Sequence, residues 1–283
     1  MDKFSISVVI PCADNFTSLL SSLQSITSQT LLPKEILIVD NSKDKMPVEL
    51  SNELLNFGAR IIELGGRIGA SAARNIGVQE STSQYVAFLD GDDTWLPKKL
   101  ENQSLAMRLV ASKYSTTNFF LKRGEVIDEF PVESAENVVK NVNRRCHCAV
   151  GSTLIIDREI FLQINGFKSE LLRFEDWDLM MRLREIDRSH LHLNQPLTLV
   201  NRIPNENWNN HQKSLDQIRA GIANYHAFRR HQVRGGIYYE ESVGFFRKKE
   251  NIRAITAMLA SIACDSEQLR YLIRVLLKRF RIF

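Results

Sequence analysis

Cysteine is scarce and poorly placed for crosslinking. Cys12, Cys146, Cys148 and Cys264 are the only four in 283 residues. Their spacing makes no disulfide framework, which points to a reducing compartment. Long apolar runs are lacking too: the longest near the end, Ala254–Cys264, is stopped by Asp265, and a membrane-spanning helix needs about 20 apolar residues. Met1-Asp2-Lys3-Phe4 leads straight into a strand-like run, leaving no room for a secretory leader; a cytoplasmic location is the expectation. One-sided charge is missing as well. Lys plus Arg is 37 and Asp plus Glu is 33, a formal +4, a balance too mild to argue for a nucleic-acid partner, and none is expected. There is no internal repeat and no low-complexity tract. Hydrophobic residues at 44% and charged residues at 25% describe an ordinary globular chain, long enough for one large domain with an appendage.

What is present is a regular alternation. Ser7-Val8-Val9-Ile10, Ile36-Leu37-Ile38-Val39, Arg60-Ile61-Ile62-Glu63-Leu64 and Tyr85-Val86-Ala87-Phe88-Leu89 are short, mostly apolar runs. Helical patterns separate them, near 16–28, 48–57 and 70–79. Continuous apolar strands spaced by helices argue for a parallel sheet covered on both faces. After Pro97 a helix is expected to about Val110, then a hairpin over Thr116–Phe130 turning at Lys122-Arg123-Gly124. A strand over Gly151–Ile156, a short helix over Asp157–Ile164, a helix over Glu175–Glu185 and an extended Leu191–Val200 containing Pro196 follow. From about Asn209 the patterns are helical only. A boundary near residue 206 is expected, with residues 1–205 as the main domain and 206–283 as a helical C-terminal region. The main domain is read as a donor half of about 1–110 and an acceptor half of about 111–205.

In an open α/β sheet, ligands bind at the carboxyl ends of the strands. Two of the early strands end in aspartate, at Asp40 and Asp90. Asp40 alone also reads as an Asx turn. Asp90-Gly91-Asp92-Asp93 is a stronger signal, because three carboxylates in four residues repel one another unless a cation sits among them. Carboxylate oxygens are hard ligands suited to Mg²⁺ or Mn²⁺. The competing reading is a solvated turn with Asp93 capping the next helix.

These segments resemble family 2 glycosyltransferases of the GT-A fold. The resemblance rests on Ser7-Val8-Val9-Ile10-Pro11, Ile38-Val39-Asp40-Asn41-Ser42, Ala73-Arg74-Asn75-Ile76-Gly77, Phe88-Leu89-Asp90-Gly91-Asp92-Asp93 with Pro97, Asn165-Gly166-Phe167, and Phe174-Glu175-Asp176-Trp177-Asp178-Leu179 with Arg182-Leu183. It covers about residues 5–215. It implies an α/β fold with a Rossmann-like mixed sheet flanked by helices. It also implies an inverting transfer from a nucleotide-sugar donor, most simply a UDP-sugar, to a glycan or lipid-linked acceptor, with Mn²⁺ or Mg²⁺ as cofactor. By this resemblance Pro11, Asp40 and Arg74 line the nucleoside pocket, Asp90 reaches the ribose, Asp92 holds the metal and Asp176 is the general base. Glu175 orients the acceptor, and His211 in Asn210-His211-Gln212 is a candidate for the metal or diphosphate. Asp178, two residues beyond the base, faces another side of the helix and reads as structural. Trp208 reads equally as a sugar-stacking platform or as packing.

Other signals are weaker. Gly65-Gly66-Arg67-Ile68-Gly69 follows the third strand without the G-x-G-x-x-G spacing, so a dinucleotide site is rejected. Cys146-His147-Cys148 lacks the ligand number and spacing of a zinc site. In the tail, Leu269, Leu272, Ile273, Leu276 and Phe280 share one helical stripe, while Arg270, Arg274, Lys278 and Arg281 share another. Such a helix suits an anionic membrane surface as well as a second subunit. Two alternative functions stand beside the transferase: a non-catalytic nucleotide-sugar-binding protein, and a nucleotidyltransferase. The latter would want a glycine-rich basic loop after the first strand, where Pro11-Cys12-Ala13-Asp14 stands instead.

Overall fold

The computed structural model describes residues 4–13, 16–130, 134–145, 150–201, 207–225, 227–270 and 273. The chain forms two compact units. Unit one comprises Met1–Lys140, His147–Leu171 and Glu175–Asn205; unit two comprises Asn141–Cys146, Leu172–Phe174 and Glu206–Phe283.

Unit one opens with β1 (Ile6–Cys12), α1 (Leu19–Thr27), β2 (Glu35–Asp40), α2 (Val48–Asn56), β3 (Ala59–Glu63), α3 (Ala70–Glu80) and β4 (Tyr85–Phe88). It continues with β5 (Thr94–Trp95), α4 (Lys99–Val110), β6 (Tyr114–Arg123), β7 (Val126–Phe130), α5 (Ala135–Lys140), α6 (Val150–Thr153), β8 (Ile155–Asp157), α7 (Arg158–Gln163), α8 (Glu175–Ile186) and β9 (Leu191–Asn201). The strands form one sheet in the order β3-β2-β1-β4-β8-β6-β9-β5, with β7 on β6. The first four pair in parallel and β8 joins antiparallel, so the sheet is mixed. Order 3-2-1-4 puts the switch in strand order between β1 and β4, where the carboxyl ends diverge and leave a crevice.

The apolar runs become central strands because both faces are covered. Val8, Val9, Ile10, Leu37, Ile38, Val39, Val86, Ala87 and Phe88 are fully buried. Each large side chain among them contributes roughly 1.5–3 kcal/mol of transfer free energy. Helix α3 lies so close on β1 and β2 that a Cβ at Gly77 would strike Val9. Phe88 packs against Phe161 and edge-on to Phe167, anchoring α7 and the turn after it to the sheet. Asp157 caps α7 by accepting from the amides of Glu159 and Ile160.

The 151–156 segment departs from the strand expected there. Val150–Thr153 is a helical turn, and only Ile155–Asp157 joins the sheet. The carbonyls of this turn are satisfied by side chains rather than a ladder. The Trp95 indole and the Thr198 hydroxyl donate to Ser152 O, and the Gln103 amide donates to Thr153 O. Pro196 sits in β9 where its register with β6 slips, near Asn118, an arrangement that accommodates a residue without an N–H. Strand β5 and helix α5 fall where no element was expected.

Unit two contains α9 (Trp208–Ala220), a 3₁₀ turn (Gly221–Asn224), α10 (Ala227–Arg247) and α11 (Asn251–Cys264). Helices α10 and α11 meet at small residues: the Ser261 hydroxyl donates to Gly235 O, and Ala254 and Ala257 are buried. Arg144 makes a buried ion pair with Asp265. The Cys146-His147-Cys148 triplet lies outside the described residues, as does the tail stripe apart from Leu269, Arg270 and Ile273. No helix among the described residues is long and apolar enough to cross a membrane.

Candidate active site

The site is built on the loop that leaves β4. Leu89 continues the strand, and Asp90–Asp93 then close a turn in which the Asp93 amide donates to Asp90 O at 3.0 Å. Two hydroxyls from the first turns of α1 hold this loop: Ser18 donates to Gly91 O at 2.8 Å and Ser22 to Asp93 O at 2.7 Å. From the far side, the Asn201 side chain donates to Asp92 O at 2.5 Å.

The three carboxylates of this turn separate into two roles. Asp93 points inward and is only 3% exposed. It accepts from the Ser152 hydroxyl at 2.5 Å and from the Asn201 amide at 2.8 Å. It therefore ties the loop to α6 and β9 and does not cap α4, which starts six residues later at Lys99; the competing reading of a solvated turn with Asp93 as helix cap is corrected accordingly. Burial first, and then the charge of Asp90, push its carboxyl well above the usual range. Asp90 and Asp92 stay half-buried on the open side. Burial and the neighbouring Asp90 also raise the Asp92 carboxyl.

Arg74, on α3, faces them. Its side chain is 6% exposed. One terminal nitrogen donates to Asp90 at 2.5 Å and the other to Glu175 at 3.5 Å, and the guanidinium lies 5.3 Å from the Phe167 ring centroid. Burial opposes its charge, but Asp90 and then Glu175 outweigh it, so the guanidinium is held more firmly protonated than usual. Asp176 adds to the same attraction. Gly151 makes this approach possible: a Cβ there would lie 2.6 Å from Asp90 Oδ2 and 3.1 Å from an Arg74 nitrogen.

The neighbour of Arg74, Asn75, does a different task. It donates to Phe167 O at 2.8 Å and accepts from Phe167 N at 2.9 Å. This clamps the Asn165-Gly166 turn, where both residues have positive φ. Arg182 braces the turn from the other side through Ile164 O and Gly166 O. Asp178 is fully buried between Lys168 at 2.8 Å and Arg182 at 2.6 Å. It is a structural anchor for α8, and it sets the start of that helix, with Glu175 and half-buried Asp176, beside Arg74.

Of the expected residues, the fold gathers Asp90, Arg74 and Glu175 in direct contact. It places Asp92 on the same turn and Asp176 on the same helix end. Pro11 is buried at the end of β1, with its carbonyl next to Gly91. Asp40 ends β2 and forms an Asx turn by accepting from Ser42 N at 3.0 Å; the Cys12 thiol points at it from 3.9 Å. Burial, then Asp40, push that thiol up to about 12, so Cys12 is not a nucleophile. His211 belongs to unit two. Its ring is buried, stacks on Trp208 and donates through Nε2 to Glu240 O at 3.2 Å. Trp208 in turn packs against Gly244 and Phe245. Gly151, Ser152 and Asn201 stand in no recognisable site motif of the sequence. The one available signal was Gly151-Ser152 interrupting an apolar run, since a strand glycine marks close approach.

No cluster of three or more His, Cys, Asp or Glu side chains suited to a metal exists among the described residues. The donor set still fits a Mg²⁺-like ion in its usual mode, with one or two carboxylates and the remaining positions taken by phosphate and water. Asp92 is the carboxylate of the turn best placed for it, with the second oxygen of Asp90 beside it, because Asp93 is committed to Ser152 and Asn201 and Asp90 Oδ1 to Arg74.

Residues 7–112 match the family model described as glycosyl transferase family 2. An uncharacterized glycosyltransferase of Haemophilus influenzae is 27% identical over 229 residues, 76% of each chain. The Escherichia coli UDP-Glc:alpha-D-GlcNAc-diphosphoundecaprenol beta-1,3-glucosyltransferase WfaP is 28% identical over 153 residues, 54% of this chain and 61% of that one. Among solved structures, S. aureus TarS 1-349 in complex with UDP-GlcNAc matches with a TM-score of 0.69 at 17% identity, over 92% of this chain and 81% of that one. The match covers only 49% of the longer TarS chain.

Proposed function

This chain is a family 2 glycosyltransferase of the GT-A fold, and from that premise we propose that it moves a sugar, with inversion, from a UDP-sugar to a lipid-linked glycan. The observation that carries the reading is the Arg74 bridge. One guanidinium contacts both Asp90, at the end of β4, and Glu175, at the start of α8. That shared contact supports reading the rim at Asp90 and the start of α8 as parts of one site. The lipid-linked acceptor is taken from the name of the WfaP relative.

In this scheme Pro11, Asp40, Arg74 and Asp90 hold the nucleoside side of the donor. Asp92, with Asp90 beside it, would hold Mn²⁺ or Mg²⁺. When bound, that ion neutralises the developing charge of the diphosphate leaving group as a Lewis acid. Asp176 accepts the proton of the acceptor hydroxyl while its oxygen bonds to the anomeric carbon and the bond to the diphosphate oxygen breaks. Such a base contributes about 10²–10⁴-fold. Glu175, tethered to Arg74, orients the acceptor.

The test is a thermal-shift screen of the full chain with UDP-glucose and UDP-N-acetylglucosamine, combined with an assay of UDP release. Stabilisation by a donor, with UDP release abolished by chelation, supports the reading. No shift with any UDP-sugar in the presence of Mn²⁺ overturns it.

A further inference from the structure

Beyond its first turn, α11 carries no charge. From Ala254 to Cys264 there is no Asp, Glu, Lys or Arg. The inner side buries Ala254, Ala257, Met258 and Ser261. The outer side shows Ile252 at 82% exposure, Ile255 at 53% and Leu259 at 62%. These fall at i, i+3 and i+7, one stripe of a helix whose solvent side would normally be polar. At the head of the stripe lies the turn from α10, with Phe246 47% exposed. Around it stand Arg247, Lys248, Lys249 and Arg253, all exposed. The only acid from 247 to 264 is Glu250, which pairs with Arg253 at 2.8 Å.

We propose that the α10–α11 hairpin is a docking surface for an anionic lipid bilayer, with the Ile252–Ile255–Leu259 stripe lying in the interface and the basic turn on the headgroups. An uncharged apolar face flanked by cations is the chemistry of a helix lying in that plane. A second copy of the chain fits less well. A two-fold contact pairs a patch with itself, which would set this basic turn near its own copy. The proposal rests on the lipid-linked acceptor reading above, and it names where the enzyme would meet the membrane that holds such an acceptor.

Sedimentation of the full chain with phosphatidylglycerol and with phosphatidylcholine vesicles tests it. The chain should pellet with the anionic vesicles and stay in solution with the neutral ones, and salt should weaken binding. The double substitution Ile252→Ser/Leu259→Ser, and separately Lys248→Glu/Lys249→Glu, should each lower binding about tenfold or more. All four residues are exposed, and a melting curve of each variant confirms the fold. Unchanged binding by both variants overturns the proposal, as does equal binding to neutral vesicles. So does a concentration-dependent dimer that the same substitutions abolish. UDP release without vesicles should be the same in wild type and variants. Failure of the donor reading would show there, independently of the vesicle result.

Discussion

Arg74 and Asp90 are joined at 2.5 Å across the crevice between α3 and β4, and the arginine is nearly sealed from solvent. A buried cation at this place is held by two carboxylates from different elements, so its loss is felt in both.

Replacing Arg74 with Met leaves Asp90 and Glu175 without their shared partner. Both keep partial exposure, at 34% and 22%. The cost is therefore about 2 kcal/mol, less than for a fully buried pair. Arg74→Met/Asp90→Asn should lose less stability than the two single substitutions added together. Chemical denaturation of the four proteins measures this coupling, and strict additivity would refute a direct pair.

Gly151→Ala tests the close approach behind that pair. The added methyl meets Asp90 Oδ2 at 2.6 Å, so the carboxylate must swing away from Arg74. Alanine in the α6 turn is worth up to about 1 kcal/mol over glycine, which offsets the strain. Global stability should stay within about 1 kcal/mol of wild type, while affinity for a UDP-sugar falls. Calorimetric titration of the donor reads the second effect; undiminished affinity would remove Gly151 from the site.

The parallel half of the sheet was legible because a strand buried on both faces must be continuously apolar, as Val8–Ile10 and Leu37–Val39 are. The acidic turn was legible because like charges rarely crowd without a counter-ion. The division of labour inside it was not. Whether Asp93 caps a helix or turns inward depends on Asn201, 108 residues away, and no local pattern encodes that. The same holds for Ser152, whose helical turn depends on Trp95, Thr198 and Asp93. Two-residue β5 has too few residues to show a period at all. The Ala73-Arg74-Asn75 and Asn165-Gly166-Phe167 segments were both visible as motifs. Only the fold shows why they travel together, since Asn75 holds the turn that the second motif forms.

Lys99 predicts a pH dependence. It is fully buried, its Nζ has no hydrogen-bond partner, and it lies 3.9 Å from the Trp95 ring centroid. Burial pushes its ammonium well below the usual lysine range. Between that lowered value and about 10.5 the unfolded chain binds a proton that the folded chain does not, so stability rises with pH by up to about 1.4 kcal/mol per unit. Lys99→Met removes the contribution. The variant should be more stable than wild type at pH 7 and should show a flatter rise between pH 7 and 10 in urea titrations. Parallel slopes for the two proteins would mean that Lys99 does not titrate in that window.

Asp176→Asn tests the proposed base separately from the donor rim. Asp176 is half-buried at the start of α8 and accepts a hydrogen bond from Trp177 N at 2.7 Å, an interaction that the asparagine oxygen can keep. The helix end and the Arg74–Glu175 contact should therefore survive, and donor binding with them. Transfer to an acceptor should fall about 10²–10⁴-fold, because the amide cannot take the hydroxyl proton. Asp92→Asn should behave in the opposite way, losing metal-dependent donor affinity. If Asp176→Asn weakens donor binding as much as it slows transfer, the carboxylate serves the nucleotide and the base must be sought elsewhere, with Glu175 the next to substitute.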